Sequence, residues 1–178
     1  RSAAAEDKAA PPAAATAEDF RRAGLDAEQR GDYVQAVAEL ERAVARGLHY
    51  HYRGMALVRI GDLYRDRLDA PDKALAAYRA VSVEQCKLEH HAEAATGAAG
   101  ILLARNDAEA ALRELDAVDP REAARSSRGA PYLVLRGNAL AAAGRPQEAF
   151  EAWRAALRHE RLDPTAKPGI EQAISRLL

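Results

Sequence analysis

A segment of 37 or 38 residues recurs four times in this chain of 178 residues, and this repeat restricts the possible folds more than any other feature. In each copy a small residue is followed four positions later by a large one, and three positions after that by Ala or Val. Residues at i, i+4 and i+7 share one face of a helix, so each copy contains an amphipathic helix. These positions are Ala36, Leu40 and Ala43; Ala74, Tyr78 and Val81; Ala111, Leu115 and Val118; Ala149, Trp153 and Ala156.

A first helix precedes each of these second helices, and turn residues separate the two. Each first helix carries a small residue at a close-contact position, which is Gly24, Gly61, Ala99 and Gly137 in turn. Breaker residues mark the turns at Gly31-Asp32, Asp69-Ala70-Pro71, Asn106-Asp107 and Gly144-Arg145-Pro146. The pattern predicts four helix pairs joined by an irregular or weakly helical connection at 121–129. The predicted helices span residues 17–30, 33–46, 50–67, 71–84, 88–105, 108–117, 130–143 and 146–159.

The two ends of the chain differ from the repeats. Residues 1–16 are rich in Ala and Pro and predict a flexible tether. The chain begins with Arg1, so we expect a further segment upstream, and residues 1–16 are either a flexible tail or a spacer behind an anchor or signal sequence. A capping helix is predicted within 164–178, because stacked repeats need an element that covers the last open face. Its apolar residues at helical spacing are Ile170, Ala173, Ile174, Leu177 and Leu178.

Composition and motifs argue against several functional classes. The net charge is −1, so no overall field attracts nucleic acid, and no apolar run approaches the roughly 18 residues of a membrane-spanning helix. The single cysteine excludes an intramolecular disulfide. Cys86 and His90 have the i, i+4 spacing of two metal ligands, but a third ligand is missing, which favours a buried thiol beside surface histidines. We find no cofactor or catalytic motif and expect a protein that is not an enzyme.

Two features of the helices concern packing. Arg136 occupies a position that is normally apolar, so we expect it to pair with an acidic residue such as Asp116 or Asp119, because an unpaired buried charge is costly. The large aromatic residues at repeat packing positions are expected in the core, and not in a ligand site; they are Tyr64, Tyr78 and Trp153. Tyr132 lies outside these positions.

The repeat resembles the tetratricopeptide repeat over residues 17–160. The resemblance rests on the small residue of the first helix, the turn Gly31-Asp32-Tyr33, and the small, large and small residues of the second helix. The period is longer than the family's 34 residues. The resemblance implies an all-α, right-handed α-solenoid of four helix pairs with a C-terminal capping helix. The units fall at about 17–48, 50–86, 88–120 and 130–160.

The last third resembles a narrower family, the bacterial inner-membrane-anchored tetratricopeptide proteins associated with the secretion translocon and periplasmic chaperones. The matching segments are 135–140, 152–157 and the short apolar tail helix. The family often has Asp where this chain has Asn138. This resemblance favours the bacterial periplasm or cell envelope over the alternative of a cytoplasmic location.

Tetratricopeptide proteins use their first helices to line a concave groove that holds a peptide or partner helix. Carried over by position, the resemblance implies these groove residues: Arg21, Leu25, Glu28, Met55, Val58, Arg59, Asp62, Arg65, Thr96, Leu103, Val134 and Asn138. The family's carboxylate clamp uses Lys and Asn, whereas those positions carry Arg21 and Leu25 here, so the clamp is not reproduced.

These observations favour a scaffold or adaptor that binds a protein or peptide partner on its concave face. Two alternatives remain open. The protein is an accessory factor of secretion or periplasmic chaperoning, or it forms homo-oligomers through the N-terminal end of the stack. Phe20, Leu25 and Ala27 would then provide the exposed face.

Overall fold

A computed structural model describes residues 15–82, 86–126 and 128–177, and within these ranges the chain is helical without β-strands. The prediction of an all-α solenoid of helix pairs is confirmed. The four pairs are α1 with α2, α3 with α4, α5 with α6, and α8 with α9. The helices are α1 (Ala17–Gln29), α2 (Tyr33–Ala45), α3 (Tyr50–Asp66), α4 (Pro71–Arg79), α5 (Leu88–Ala104), α6 (Ala108–Asp116), α7 (Pro120–Arg125), α8 (Gly129–Ala142), α9 (Pro146–Leu157) and α10 (Lys167–Ser175).

The connection after the third pair is more ordered than the sequence indicated, because it contains the six-residue helix α7. Asp119 caps this helix, and its side chain accepts a hydrogen bond from the backbone N–H of Arg121 at 2.8 Å. Pro120 occupies the first helical turn, where its missing N–H costs nothing. Helix α4 ends at Arg79, earlier than predicted, and residues 83 and 84 of the predicted helix lie outside the described residues.

Each turn between paired helices contains a residue in the left-handed backbone region. Their φ angles are +80° at Gly31, +48° at Asp69, +60° at Asn106 and +73° at Gly144. Gly, Asn and Asp adopt this conformation at a lower cost than other residues, which is why these residue types end the first helices. The four turns predicted from the sequence are therefore confirmed.

The glycines of the first helices let the large residues of the second helices lie directly against the backbone. A Cβ atom added to Gly137 would lie 2.3 Å from the indole ring of Trp153. Tyr78 lies between two helices, since a Cβ on Gly61 of α3 or on Gly97 of α5 would come within 2.6 Å of its ring. Side chains of this size fit only because the glycines carry none.

Arg136 and Tyr132 connect α8 to the preceding pair. The Arg136 guanidinium forms an ion pair with Asp116, as expected from the sequence. Tyr132 is completely buried, and its hydroxyl donates a hydrogen bond to the carbonyl oxygen of Leu115 at 3.0 Å. The sequence pattern gave no packing role to Tyr132, and the structure adds it to the core.

The C-terminal helix covers the last pair, although it is shorter than predicted. Ile170 is buried, and Ala173 and Ile174 pack against the core that extends from α3 to α9. Leu177 is 37% exposed, and Leu178 lies outside the described residues. The predicted tether is also largely outside them, because the structure is described from residue 15 onward. In the described part of the chain, every helix is too short or too polar to cross a membrane.

Candidate functional site

The first helices α1, α3, α5 and α8 form one face of the protein, called here the first-helix face, and it carries two neighbouring pockets. The N-terminal pocket has a volume of about 310 Å³ and lies among α1, α3 and α5. The C-terminal pocket has a volume of about 530 Å³ and lies among α3, α5, α8 and the segment that follows α9. Glu93 and Arg128 line both pockets, so the two cavities adjoin.

Five of the predicted groove residues line the N-terminal pocket: Arg21, Leu25, Met55, Val58 and Arg59. Val58 is buried in its wall, whereas Met55 is 45% exposed. The Arg21 guanidinium lies over the ring of Tyr52, at 4.7 Å from the ring centroid. Arg21 also pairs with Glu18 at 2.5 Å. This pocket therefore combines an apolar wall with a cationic rim.

Four of the predicted residues line the C-terminal pocket: Asp62, Arg65, Thr96 and Val134. The Tyr78 hydroxyl donates a hydrogen bond to Asp62 at 2.6 Å, and Arg65 pairs with the same carboxylate at 3.2 Å. Burial raises the pKa of Tyr78, so its hydroxyl stays protonated and remains a donor. These bonds hold the Asp62 and Arg65 side chains in place on the charged side of the pocket. The Thr96 hydroxyl donates a hydrogen bond to the carbonyl oxygen of Ala92 at 2.7 Å.

The remaining three predicted residues lie outside the linings of these two pockets. Glu28 forms an ion pair with Arg59, which lines the N-terminal pocket. Asn138 accepts a hydrogen bond from the indole nitrogen of Trp153 at 3.0 Å, which gives it a packing contact. Leu103 is half-buried and packs against the core.

Sequence reasoning missed Glu93 and Arg128, which form an ion pair at 2.8 Å between the pockets. Burial raises the pKa of Glu93, while the charge of Arg128 opposes this shift. Glu93 lies three residues before Thr96, so extending the same helical face by one turn would have identified it. Arg128 lies in the connection before α8, and no periodicity could have indicated its position.

The segment after the fourth pair also escaped prediction, although it forms one wall of the C-terminal pocket through Arg161, Leu162, Asp163 and Ala166. The chain returns across the end of the first-helix face before α10 begins. Local pattern cannot reveal this return, because it depends on how the capping segment docks on the stack.

His90 corrects one expectation, because it is buried and is not a surface histidine. It is 8% exposed, and neither ring nitrogen has a hydrogen-bond partner among the described residues. Its side chain packs against Gly54, where an added Cβ would come within 2.9 Å. Burial lowers the pKa of His90, so its ring is neutral at pH 7. The thiol of Cys86 is buried, as expected, and burial raises its pKa.

Within residues 15–82, 86–126 and 128–177, no three His, Cys, Asp or Glu side chains are grouped closely enough to hold a metal ion. The Cys86–His90 pair therefore has no third ligand in this part of the chain. The His159 ring lies 3.1 Å from the carbonyl oxygen of Ala124. It connects the end of α9 to α7.

The four helix pairs define a helical-repeat solenoid, and the two adjoining pockets lie along its first-helix face. Among solved structures, the crystal structure of MamA, a tetratricopeptide-repeat solenoid, is similar to this chain with a TM-score of 0.66. The identity is 18%, and the match covers 86% of this chain and 81% of the MamA chain. At this identity the similarity establishes the fold. No protein-family model matches the sequence, and neither does any curated protein.

Proposed function

We propose that this protein is a non-catalytic scaffold or adaptor that binds a peptide or helix of a partner protein along its first-helix face. The supporting observation is the succession of two adjoining pockets, of about 310 and 530 Å³, along that face. Their apolar floors suit the anchoring side chains of a bound segment, and their charged rims suit its polar groups. Peptides and amphipathic helices bind in grooves through spaced anchors of this kind.

Gly100 provides a direct test, because it lines the C-terminal pocket and a Cβ there would meet no atom within 4 Å. The substitution Gly100→Leu would add an isobutyl group to the pocket lining, and its first carbon would meet open space. It also replaces a helical glycine with a strong helix former, which favours the folded state by roughly 1 kcal/mol. A loss of binding could then not be ascribed to unfolding.

The matched control is Gly169→Leu in α10, where an added Cβ likewise meets no neighbour and which lines neither pocket. Random peptides would be displayed as fusions, so that their C-termini are not free, and would be selected for binding to the wild-type protein. The selected peptides would then be measured on both variants by fluorescence anisotropy. We expect Gly100→Leu to weaken binding about tenfold or more, and Gly169→Leu to leave it unchanged. Equal binding to all three proteins would contradict the proposal.

A second proposal is self-association at the N-terminal end of the stack. The residues expected to form this surface do not form an exposed face, because Ala27 is fully buried and Leu25 lines the N-terminal pocket. The exposed large apolar residues of the first two pairs include Val34 (69%) and Tyr50 (53%). Light scattering would show a dimer mass that Val34→Glu reduces; a monomer mass in the wild type would contradict self-association.

A location in the bacterial cell envelope, with a role in secretion or chaperoning, is also a proposal and is supported by the sequence resemblance of 135–140 and 152–157. The test is fractionation of cells that express the full-length protein. Recovery with periplasmic or membrane fractions is expected, and recovery only with cytoplasmic markers would contradict it.

A further inference from the structure

The N-terminal pocket carries a buried polar group without a partner, and this group indicates what the pocket binds. His90 lines the pocket and is more than nine-tenths buried. Both ring nitrogens are without hydrogen-bond partners in the described part of the chain. An unpaired polar group in a buried position destabilises the folded protein, because it has lost its hydrogen bonds to water. A ligand that provides a polar atom at this position would remove that destabilisation.

Hydrogen-bond donors around the pocket indicate that the ligand supplies acceptor atoms. Three arginines, Arg21, Arg59 and Arg128, line it, and Glu93 is the single acidic residue among its lining residues. Each of these arginines is paired with a carboxylate, Arg21 with Glu18, Arg59 with Glu28 and Arg128 with Glu93, so the charges balance and the pocket offers N–H donors, not a net positive charge. Arg21 and Arg59 each contact an acidic partner through Nε and one terminal nitrogen. A guanidinium has five N–H donors, so donors remain on both for a further acceptor.

The pocket also has an apolar component. Leu40 and Val58 are buried in its wall, and Leu25 and Met55 complete it. Its volume of about 310 Å³ is at the lower end of the range of roughly 300–1,000 Å³ found for ligand pockets. It therefore suits one or two side chains of a longer segment.

The pocket adjoins neighbouring cavities on two sides. It shares Glu93 and Arg128 with the C-terminal pocket. It shares Tyr52 with a further cavity of about 460 Å³, which is lined by Ala17, Glu18, Leu48 and His49. A bound segment can therefore continue in both directions, which favours an internal residue over a chain terminus.

We propose that the N-terminal pocket binds an internal acidic side chain of the partner segment together with an adjacent aliphatic side chain. The carboxylate accepts hydrogen bonds from the His90 ring and from the free donors of Arg21 and Arg59. The aliphatic side chain packs on Leu25, Leu40 and Val58. This inference rests on the proposed function, since it describes one anchor of the segment that the first-helix face binds.

The peptides selected above on the wild-type protein test this inference. We expect them to share an Asp or Glu next to Leu, Ile, Val or Met. In a synthetic representative with both termini blocked, replacing the acid with its amide should weaken binding about tenfold or more. Binding of the acidic peptide should also raise the pKa of His90 by about one unit or more, measured from the imidazole NMR signals.

The protein variants are chosen as a matched pair. Arg59 pairs with Glu28 and has a side-chain exposure of 51%, and Arg79 pairs with Glu114 and has one of 53%, away from both pockets. Arg59→Gln should weaken binding of the acidic peptide, whereas Arg79→Gln should not. Both variants should remain folded, because each replaced arginine side chain is about half-exposed and glutamine can still donate a hydrogen bond to the glutamate.

Two other results have distinct meanings. If the selected peptides show no acidic preference, or a basic one, yet are blocked by Gly100→Leu, the inference is wrong and the proposed function stands. If no peptide is enriched, or if Gly100→Leu blocks none, both are wrong.

Discussion

The contact between Gly137 and Trp153 gives the sharpest test of how the sequence produces this fold. The substitution Gly137→Ala adds one methyl group, and its carbon would lie 2.3 Å from Cδ1 and Nε1 of the Trp153 indole. Trp153 is 4% exposed, so it has little space into which it can move. The ring also donates a hydrogen bond to Asn138 at 3.0 Å, and movement of the ring would break it.

The expected change in stability combines three contributions. Replacing a helical glycine with alanine favours the helix by about 1 kcal/mol. Overpacking a dense core costs about 1–3 kcal/mol. Loss of the indole hydrogen bond costs about 1 kcal/mol. The sum is a destabilisation of about 1–3 kcal/mol, which lowers the Tm of a domain of this size by about 2–12 °C.

Gly100→Ala is the matched control, because its added Cβ meets no atom within 4 Å. This variant should be stabilised by about 1 kcal/mol through helix propensity alone. Urea unfolding would be followed by circular dichroism and by fluorescence of the chain's single tryptophan, which reports on the contact itself. If Gly137→Ala is as stable as Gly100→Ala, the close approach of α8 and α9 does not depend on the glycine, and the packing argument fails.

Three further predictions concern polar groups that contact neighbouring helices or are buried. Tyr132→Phe removes the hydrogen bond to the Leu115 carbonyl oxygen; urea unfolding should show a loss of about 1–2 kcal/mol, whereas the exposed Tyr50→Phe should change stability by less than about 0.5 kcal/mol. A double-mutant cycle of Arg136→Met and Asp116→Asn should give a coupling free energy of about 0.5–1 kcal/mol, because Asp116 is half-exposed; zero coupling would show that the ion pair does not stabilise the fold. Burial lowers the pKa of both His90 and His91, so the unfolded chain binds protons first as the pH falls below about 6.5, and stability decreases with falling pH. Near His90, Glu89 favours the charged ring, while His51, Lys87 and Arg128 oppose it. The Tm should be lower at about pH 5.5 than at about pH 7.5, and this difference should be smaller in His90→Gln. A Tm that rises towards acid pH would contradict this reasoning.

The sequence was sufficient to predict the helices and their pairing because both depend on local chemistry. The spacing of Ala149, Trp153 and Ala156 places them on one buried face, and all three are buried. Residues such as Gly31 and Asn106 end the first helices because they tolerate a positive φ angle. These signals act over a few residues, so a single sequence contains them.

The candidate site was predicted in part, for a physical reason. Residues on the first helices, such as Arg59 and Thr96, follow from helical periodicity. Arg128 and the wall at Leu162 come from connecting segments, whose position depends on long-range docking. The burial of His90 also required the structure, because it depends on the close approach of α3 and α5 at Gly54.

The central claim is that the first-helix face binds a partner segment, and amide chemical-shift mapping tests it most directly. A peptide selected on the wild-type protein would be titrated into the isotope-labelled full chain. The account predicts that the largest shifts occur on α3, α5 and α8, around Val58, Glu93, Gly100 and Val134. Shifts concentrated instead on the second helices, around Val44 of α2, Ala76 of α4 and Glu114 of α6, would contradict the claim.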